Sequence, residues 1–441
     1  MTDHTVATTG PTAAAKRIAV LDVLRGIAVC GILPVNIIVM GAVGSREGRT
    51  FPMRLDADWI AWSFQHVLLQ GPMRGLFTLL FGAGMLLMLR QAEGPDGRAA
   101  PVEAWSRRCL ALLLFGMVQF AVFLWPGEIL WTYGIAGMML LAFRSARPRV
   151  LWAWAIVIMI GLSAFRTHDT AQTVQGFQAA AVAEIRQAAG EPLTEAQQGA
   201  LDSVQQAVAA NHPTQQEVAA QIDGRTGWST VFQWSWEGWA ARHLGAYSWW
   251  GVAESLGFML VGMALYRSGF LTGEARPQLY WLVLIVGCGL GLLVRGADFV
   301  WAARTGFEID VSRVEPAVSW ARSLLFEPAR LALTLGYVSM VVLIVSTRQA
   351  GRQGPLQALG RMALTAYCLQ SILTSLLFYG FGFVGRLGYA SLLGVCVTIW
   401  IITALFSIWW LRSHALGPAE WLLRSLTYGR RKVAGDAAVR L

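Results

Sequence analysis

The sequence predicts an all-α fold: a polytopic transmembrane helical bundle of about ten spans, both termini cytoplasmic, with a small helical extracytoplasmic insertion. Three observations carry that prediction. First, 55% of the 441 residues are hydrophobic and only 14% are charged, against about a quarter charged in soluble chains; mean hydropathy is +0.50. Second, apolar runs of about 18 residues or more, each long enough to cross a bilayer as a helix, recur from end to end. Third, Lys and Arg gather on alternate connections: Lys16 and Arg17; Arg90, Arg98, Arg107 and Arg108; Arg144, Arg147 and Arg149; Arg267 and Arg276; Arg348 and Arg352; Arg412, Arg430, Arg431 and Lys432. That is the positive-inside pattern. The dyad alternation of a membrane barrel is absent.

In chain order the spans fall at 18–43, 64–89, 106–125, 128–143, 149–166, 247–266, 278–301, 318–346, 360–383 and 389–411. Residues 1–15, rich in Thr and Ala, read as a disordered tail. The first span is too long, and too polar at its start, for a cleaved signal peptide. Residues 16–166 form an N-terminal membrane half and 246–428 a C-terminal one, with a basic cytoplasmic tail at 429–441. Between the halves, 167–245 is the extracytoplasmic insertion. Thr194 with Gln197, and Thr214 with Glu217, have the spacing of helix-start capping boxes. WSTVFQWSWEGWAARH, Trp228 to His243, reads as a helix lying in the membrane interface, or as an aromatic platform for a substrate. No internal repeat is visible.

The net charge of +9 is accounted for by topology, so no nucleic-acid partner is expected. Cys30, Cys109, Cys288, Cys368 and Cys396 lie inside apolar runs at no metal spacing, and the six histidines form no paired ligand pattern. No metal site and no permanently bound cofactor is expected.

Ionisable side chains inside spans are costly unless they are paired or face a wet cavity. Three pairs stand at i,i+3 spacing: Asp22 with Arg25, Arg295 with Asp298, and Glu327 with Arg330. Each either locks neighbouring helices or belongs to a site. Asp22, Arg25 and Arg361 fall at the cytoplasmic end. Asn36, about 21 Å further along the first helix, falls in the outer half with His66, Arg74, Glu128, Tyr133, Glu254 and the charges of the seventh and eighth spans. Pro34 is expected to bend the helix near Asn36. Charges of both signs at one depth on several helices imply a polar cavity, cationic enough to hold a carboxylate, phosphate or pyrophosphate. Glu128 or His66 is the candidate general base. Glu128 reads equally as a charge complementing a helix N-terminus. Gly26, Gly31, Gly82, Gly84, Gly134 and Gly137 read as helix-packing positions.

The pattern LDVLRGIAVCGILPVN from Leu21, LFTLLFGAGM from Leu76, GEILWTYGIAG from Gly127, LGRMALTAYCLQSILTSLLFYGFG from Leu359 and GPAEWLLRSLTY from Gly417 resembles the YeiB family of bacterial inner-membrane proteins. The resemblance implies a multi-pass inner-membrane protein with motif residues Asp22, Arg25, Asn36, Phe81, Gly82, Glu128, Tyr133, Gly360, Arg361, Thr365, Tyr367, Gln370, Gly417, Pro418, Glu420, Trp421 and Arg424. That family is distantly similar to transmembrane acyltransferases, including the lysosomal enzyme that acetylates the glucosamine end of heparan sulfate. The shared element is Asp22, Arg25, Gly26 and then Asn36. In that enzyme a histidine after the first helix carries the chemistry, and His66 stands in the comparable place here.

Together these imply an acyltransferase with Glu128, Asn36 and His66 as catalytic candidates. Asp22, Arg25, Arg74, Tyr133, Glu254, Arg295, Asp298, Glu327, Arg330, Arg361 and Gln370 are the substrate-binding candidates. Acyl-CoA is the co-substrate, a saccharide or lipid-linked molecule the acceptor, and membrane lipid the surroundings. A transporter or flippase for an anionic small molecule or lipid is the alternative. A receptor or stabilising subunit whose charges only lock helices is the third reading.

Overall fold

A computed structural model describes residues 11–43, 56–92, 101–211, 213–304, 315–347 and 354–428. Sixteen α-helices run through them in chain order: α1 Pro11–Gly41, α2 Ala57–Phe64, α3 Pro72–Ala92, α4 Pro101–Ala121, α5 Leu130–Met139, α6 Pro148–Ala188, α7 Glu195–Asn211, α8 Gln215–Asp223, α9 Trp228–His243, α10 Ser248–Arg267, α11 Pro277–Arg304, α12 Pro316–Thr347, α13 Pro355–Arg361, α14 Ala363–Ser375, α15 Tyr389–Trp410 and α16 Pro418–Tyr428. The protein is an all-α multi-pass membrane bundle. Eight helical segments are long and apolar enough to cross a membrane, within 19–41, 57–89, 148–188, 248–267, 277–303, 316–345, 363–380 and 389–410. The two further spans drawn from the sequence, 106–125 and 128–143, correspond to α4, which carries Glu103, Arg107 and Arg108, and to the short apolar stretch Leu130–Phe143.

Burial sorts the helices. Every residue of α10 from Glu254 to Leu265 is buried, so α10 is the central post. On α11 the side chains of Trp281, Leu282, Ile285 and Leu293 are exposed, which places this face toward lipid, the only medium in which so apolar a surface is stable. One core joins α3, α10 and α12 through Leu79, Met259, Met263 and Val338; a second joins α1, α14 and α15 through Ile37, Tyr367, Phe378 and Leu392.

Glycine sets the closest helix approaches. A Cβ on Gly82 of α3 would lie 2.0 Å from the Met259 carbonyl oxygen, and one on Gly262 of α10 would lie 1.8 Å from that of Leu79. Gly26 meets the Leu356 carbonyl and Gly360 the Asp22 carbonyl in the same way. Gly31, Gly134 and Gly137 also pack closely, on Met73, on Cys109 with Leu113, and on Cys109 Sγ. The packing role expected for these residues holds, except at Gly84, which faces open space.

Three boundaries differ from expectation. The tail drawn at 1–15 overlaps α1, which starts at Pro11; residues 1–10 and the tail at 429–441 lie outside the described residues. Pro34 sits inside α1, which is assigned as one helix through to Gly41. The helix drawn for the fifth span runs on past 166: α6 has 41 residues in all, to Ala188, about 60 Å at the helical rise, twice the hydrocarbon thickness. Its far half packs on α7 through Phe177, Ala180 and Val204. The two capping boxes form: Thr214 and Glu217 bond reciprocally at the start of α8, and Thr194 and Gln197 do so before α7.

Candidate functional site

Two local breaks in helical structure create the site. The first lies before α3. Residues Gln65–Leu69 form a π-helical turn, and Gly71 then adopts φ +95°, a left-handed conformation suited to glycine. A Cβ there would also lie 2.7 Å from Arg330 Cδ. The carbonyls freed by this turn are taken up by neighbouring helices: Arg295 of α11 donates to the Val67 oxygen at 2.7 Å and to that of His66, and the Tyr337 hydroxyl donates to Leu68 at 3.0 Å.

The second break is α5. Its N-terminus opens inside the bundle, where Glu128 is buried. Glu128 Oε2 would stand 3.0 Å from a Cβ on Gly116, five residues and about 8 Å short of the end of α4. That oxygen accepts from the backbone N–H of Leu130 at 2.6 Å and of Trp131 at 3.0 Å, while Oε1 accepts from Trp239 Nε1 at 3.1 Å. Glu128 therefore closes the open N–H groups of α5 and meets the positive end of its dipole.

His243, at the end of α9, completes this group. Its Nε2 lies 3.2 Å from Glu128 Oε1, an ion-pair contact without hydrogen-bond alignment, and its Nδ1 lies 3.4 Å from Thr132 Oγ1. The α9 residues Val231, Ser235, Trp239 and His243 are buried while Trp228, Phe232 and Trp236 are exposed. The helix thus has one buried face and one exposed aromatic face. Its inner stripe is part of the site.

Beside it lies an ionic centre. Glu254 of α10 bridges two guanidiniums, Arg330 Nη1 at 2.6 Å and Arg74 Nη1 at 3.3 Å. Arg330 Nη2 also lies 3.0 Å from Glu327 Oε2, whose residue has no exposed surface. Arg166 of α6 faces the same carboxylates and lies 4.0 Å from the centre of the Phe326 ring. The Arg330 guanidinium lies over Phe258 at 4.5 Å. Tyr133, buried, bonds to Thr78 one turn from Arg74. Gly251 joins the two parts: a Cβ there would lie 3.8 Å from Arg74 Nη2 and 4.0 Å from Thr132 Oγ1. With glycine in place, a gap of about one methyl group lies open between them.

Of the predicted site residues, the structure brings together Arg74, Glu254, Glu327 and Arg330, with Tyr133 and Arg295 at the margin and Glu128 across the Gly251 gap. Asp22 and Arg25 pair at 3.0 Å with Arg361 nearby, forming a separate zone. The expected pairing of Arg295 with Asp298 is replaced. Arg295 is engaged by the two carbonyls, and Asp298 pairs across helices with Arg322, because helix neighbours offered partners that spacing along one helix does not register. His66 contributes its carbonyl, while its ring packs against Trp62 and Phe299 at 5.3 and 5.8 Å between centroids. Asn36 is half-buried and joins none of the described ion pairs and hydrogen bonds of the centre. Gln370 is buried elsewhere in the bundle, its Nε2 without a protein partner among the described residues. Sequence reasoning did not select Thr132, Arg166 or His243. The four-residue period 231, 235, 239, 243 was the signal for His243. Among the described residues, no three His, Cys, Asp or Glu side chains converge as a metal centre requires.

Glu420 belongs to neither zone. Its carboxylate accepts from the backbone N–H groups of Leu364 and Thr365 at 2.7 and 3.1 Å and from the Thr365 hydroxyl. It caps α14 from α16, a bracing role whose partner is the helix start.

Comparison with known proteins adds sequence similarity only. The chain is 29% identical over 431 residues to the uncharacterized protein YxaH of Bacillus subtilis, covering 95% of this chain and 96% of that one. It is 27% identical over 444 residues to the uncharacterized protein YeiB of Escherichia coli, covering 96% and 98%. No solved structure matches. Residues 265–430 match the family model described as protein of unknown function DUF418, so an integral membrane protein that is similar to YxaH and YeiB over nearly its full length carries a DUF418 region in its C-terminal part.

Proposed function

We propose that the protein is a membrane acyltransferase, passing an acyl group from a donor of the acyl-CoA class to a hydroxyl of a saccharide or lipid-linked acceptor. One observation carries this reading: the line Glu128–His243–Thr132, a buried imidazole with a carboxylate at one nitrogen and a hydroxyl at the other. An imidazole so held is oriented to take up a proton and is stabilised once charged. In the proposed step the acceptor hydroxyl enters the gap beside Thr132. Its oxygen attacks the thioester carbonyl as its proton passes to His243. The C–O bond forms, the C–S bond breaks, and the thiolate leaves with the proton returned by His243. Glu128, occupied by three N–H donors, is the partner of the base rather than the base. His66, held in its aromatic cluster, leaves that role to His243.

The donor end of the reading is the zone of Asp22, Arg25 and Arg361, at the cytoplasmic face of the bacterial inner membrane as the Lys and Arg distribution implies. From Asp22 to Gly31, which packs on Met73 next to Arg74, α1 rises about 14 Å, the distance a donor arm has to reach. Transfer of labelled acetyl from acetyl-CoA to membrane acceptors in vesicles is the test. His243→Ala and Glu128→Gln are expected to lower it about 100-fold or more at unchanged protein level. Unchanged transfer in both variants would remove this site from the reaction.

A transporter reading is favoured by a different observation, the surplus of guanidiniums around Glu254 and Glu327. Donor-independent movement of a labelled anion in proteoliposomes, lost in Arg330→Gln, would put transport in place of transfer.

A further inference from the structure

We infer that the Arg74–Arg330 centre recognises a phosphate-bearing group, a phosphomonoester or pyrophosphate, on the molecule that enters the Gly251 gap. The inference rests on reading this centre as the acceptor side of the site, and it needs no acyl chemistry.

Charge is the first ground. Arg74, Arg166 and Arg330 surround two carboxylates, Glu254 and Glu327. Arg295 stands on the other side of Gly71, its Nη1 3.9 Å from the same hypothetical Cβ that meets Arg330. Arg295 also has Asp298 beside it, itself paired with Arg322, and Arg166 has Asp169. Five guanidiniums then face four carboxylates, an excess of one positive charge, and a buried excess of one sign is costly until a counter-charge arrives.

Unmet hydrogen bonds are the second ground. Arg330, of which only 4% is exposed, has Nε without a hydrogen-bond acceptor and Nη2 in ion-pair contact with Glu327 but not aligned for a hydrogen bond, and the buried Nε atoms of Arg74 and Arg166 have no acceptor either. Buried donors left this way lose the free energy of their hydration with no return. They come from three helices, α3, α6 and α12. A planar carboxylate offers two oxygens in one plane, whereas a terminal phosphate offers three arranged around phosphorus, which suits donors carried on separate helices.

Access is the third ground. The Arg74 side chain is 30% exposed, and the space above Gly251 lies between its Nη2 and the Thr132 hydroxyl. A phosphate on Arg74 places the remainder of its molecule toward His243. On the opposite side of the 65–73 turn runs a cavity of about 570 Å³ lined by apolar side chains, among them Ile27, Leu69, Met73, Leu359 and Trp400. A lipid tail and a lipid-borne phosphate would thus find their surroundings on two sides of one turn. A soluble phosphate compound would use the centre alone.

The experiment measures binding of labelled pyrophosphate, and separately of a fluorescent phosphatidic acid, to the full chain in phosphatidylcholine nanodiscs. Saturable binding of either probe is expected, weakened at least tenfold in Arg74→Gln, several-fold in Gly251→Ala and unchanged in Arg107→Gln, whose exposed ion pair with Glu103 is remote in role. Gly251→Ala meets only ordinary contact distances, so it reports on the gap should Arg74→Gln fail to fold. Binding of phosphatidic acid alone would identify a lipid-borne phosphate; binding of pyrophosphate alone would identify a soluble one. Folded wild type that binds neither, or variants with unaltered thermal transitions that bind as wild type does, would overturn the inference. His243→Ala is expected to bind normally, so a loss of acyl transfer with binding intact would remove the reaction and leave the phosphate site standing.

Discussion

Glu327 and Arg330 show how buried charge behaves when hydrogen bonds are incomplete. Glu327 is fully enclosed, and neither carboxylate oxygen has an aligned donor, although Arg330 Nη2 is 3.0 Å from one of them. Arg330, in contrast, holds Glu254 as well. Removing one member of a buried pair typically costs about 3–5 kcal/mol, because the other is left uncompensated. Arg330→Met strands Glu327, leaves Glu254 with Arg74 alone, and is expected to lower the thermal midpoint of the purified protein sharply. Glu327→Gln removes an ill-satisfied charge, keeps the shape and leaves Arg330 on Glu254, so the midpoint is expected to stay close to wild type or rise. Thermal unfolding followed by tryptophan fluorescence in detergent compares the two. Equal losses would mean that Glu327 is bound as firmly as Glu254.

Helix pairs carry the next level, and the two close glycine approaches between α3 and α10 decide it. Gly82→Ala would drive a methyl carbon to 2.0 Å from a backbone oxygen that cannot move independently of α10, so the variant is expected to give little folded protein. Gly84→Ala, two residues further on and in open space, is expected to match or exceed wild-type stability, since alanine is the better helix former by about 1 kcal/mol. Yields of monodisperse protein from matched membranes separate the two. Small helices answer to local rules instead. The Glu217 carboxyl is held below the usual range by the backbone N–H and hydroxyl of Thr214. What this lends α8 is fully present above the ordinary carboxylate range and is lost as pH falls through the lowered value. Amide exchange in α8 is expected to quicken at acid pH, relative to its intrinsic rate, in wild type, and already at neutral pH in Thr214→Ala. The sequence displayed this box, and the charges of α10 and α12, because periodicity and the expense of a charge in lipid are local properties. It did not display Asp298 with Arg322, or Glu420 with the start of α14, because those partners meet only once helices are packed. His243 was obscured by the tryptophans around it, several of which are exposed on the outer face of α9.

Over the whole molecule, orientation links these parts to function. The zone of Asp22, Arg25 and Arg361 and the zone of Glu128 and His243 are joined by α1 and α3, and a donor-to-acceptor reading requires them to face different compartments. The Lys and Arg distribution predicts that α7, packed on the extension of α6, lies outside while the connection after α15 lies inside. Ser203 of α7 and Ser413 after α15 are both exposed, and Cys109, Cys368 and Cys396 are buried while Cys30 and Cys288 are partly so within membrane helices. Against a background with those five replaced by serine or alanine, Ser203→Cys is expected to react with a membrane-impermeant maleimide in intact spheroplasts, and Ser413→Cys only after permeabilisation. The reverse labelling would turn the bundle over. Asp22 and Arg25 would then face the outside, where no acyl-CoA is supplied, and the Arg74–Arg330 centre would have to draw its phosphate compound from the cytoplasm. The buried ion pairs would be unaltered by that reversal, but acyl transfer from a cytoplasmic donor would lose its first step, so orientation is the property on which the transferase reading most directly depends.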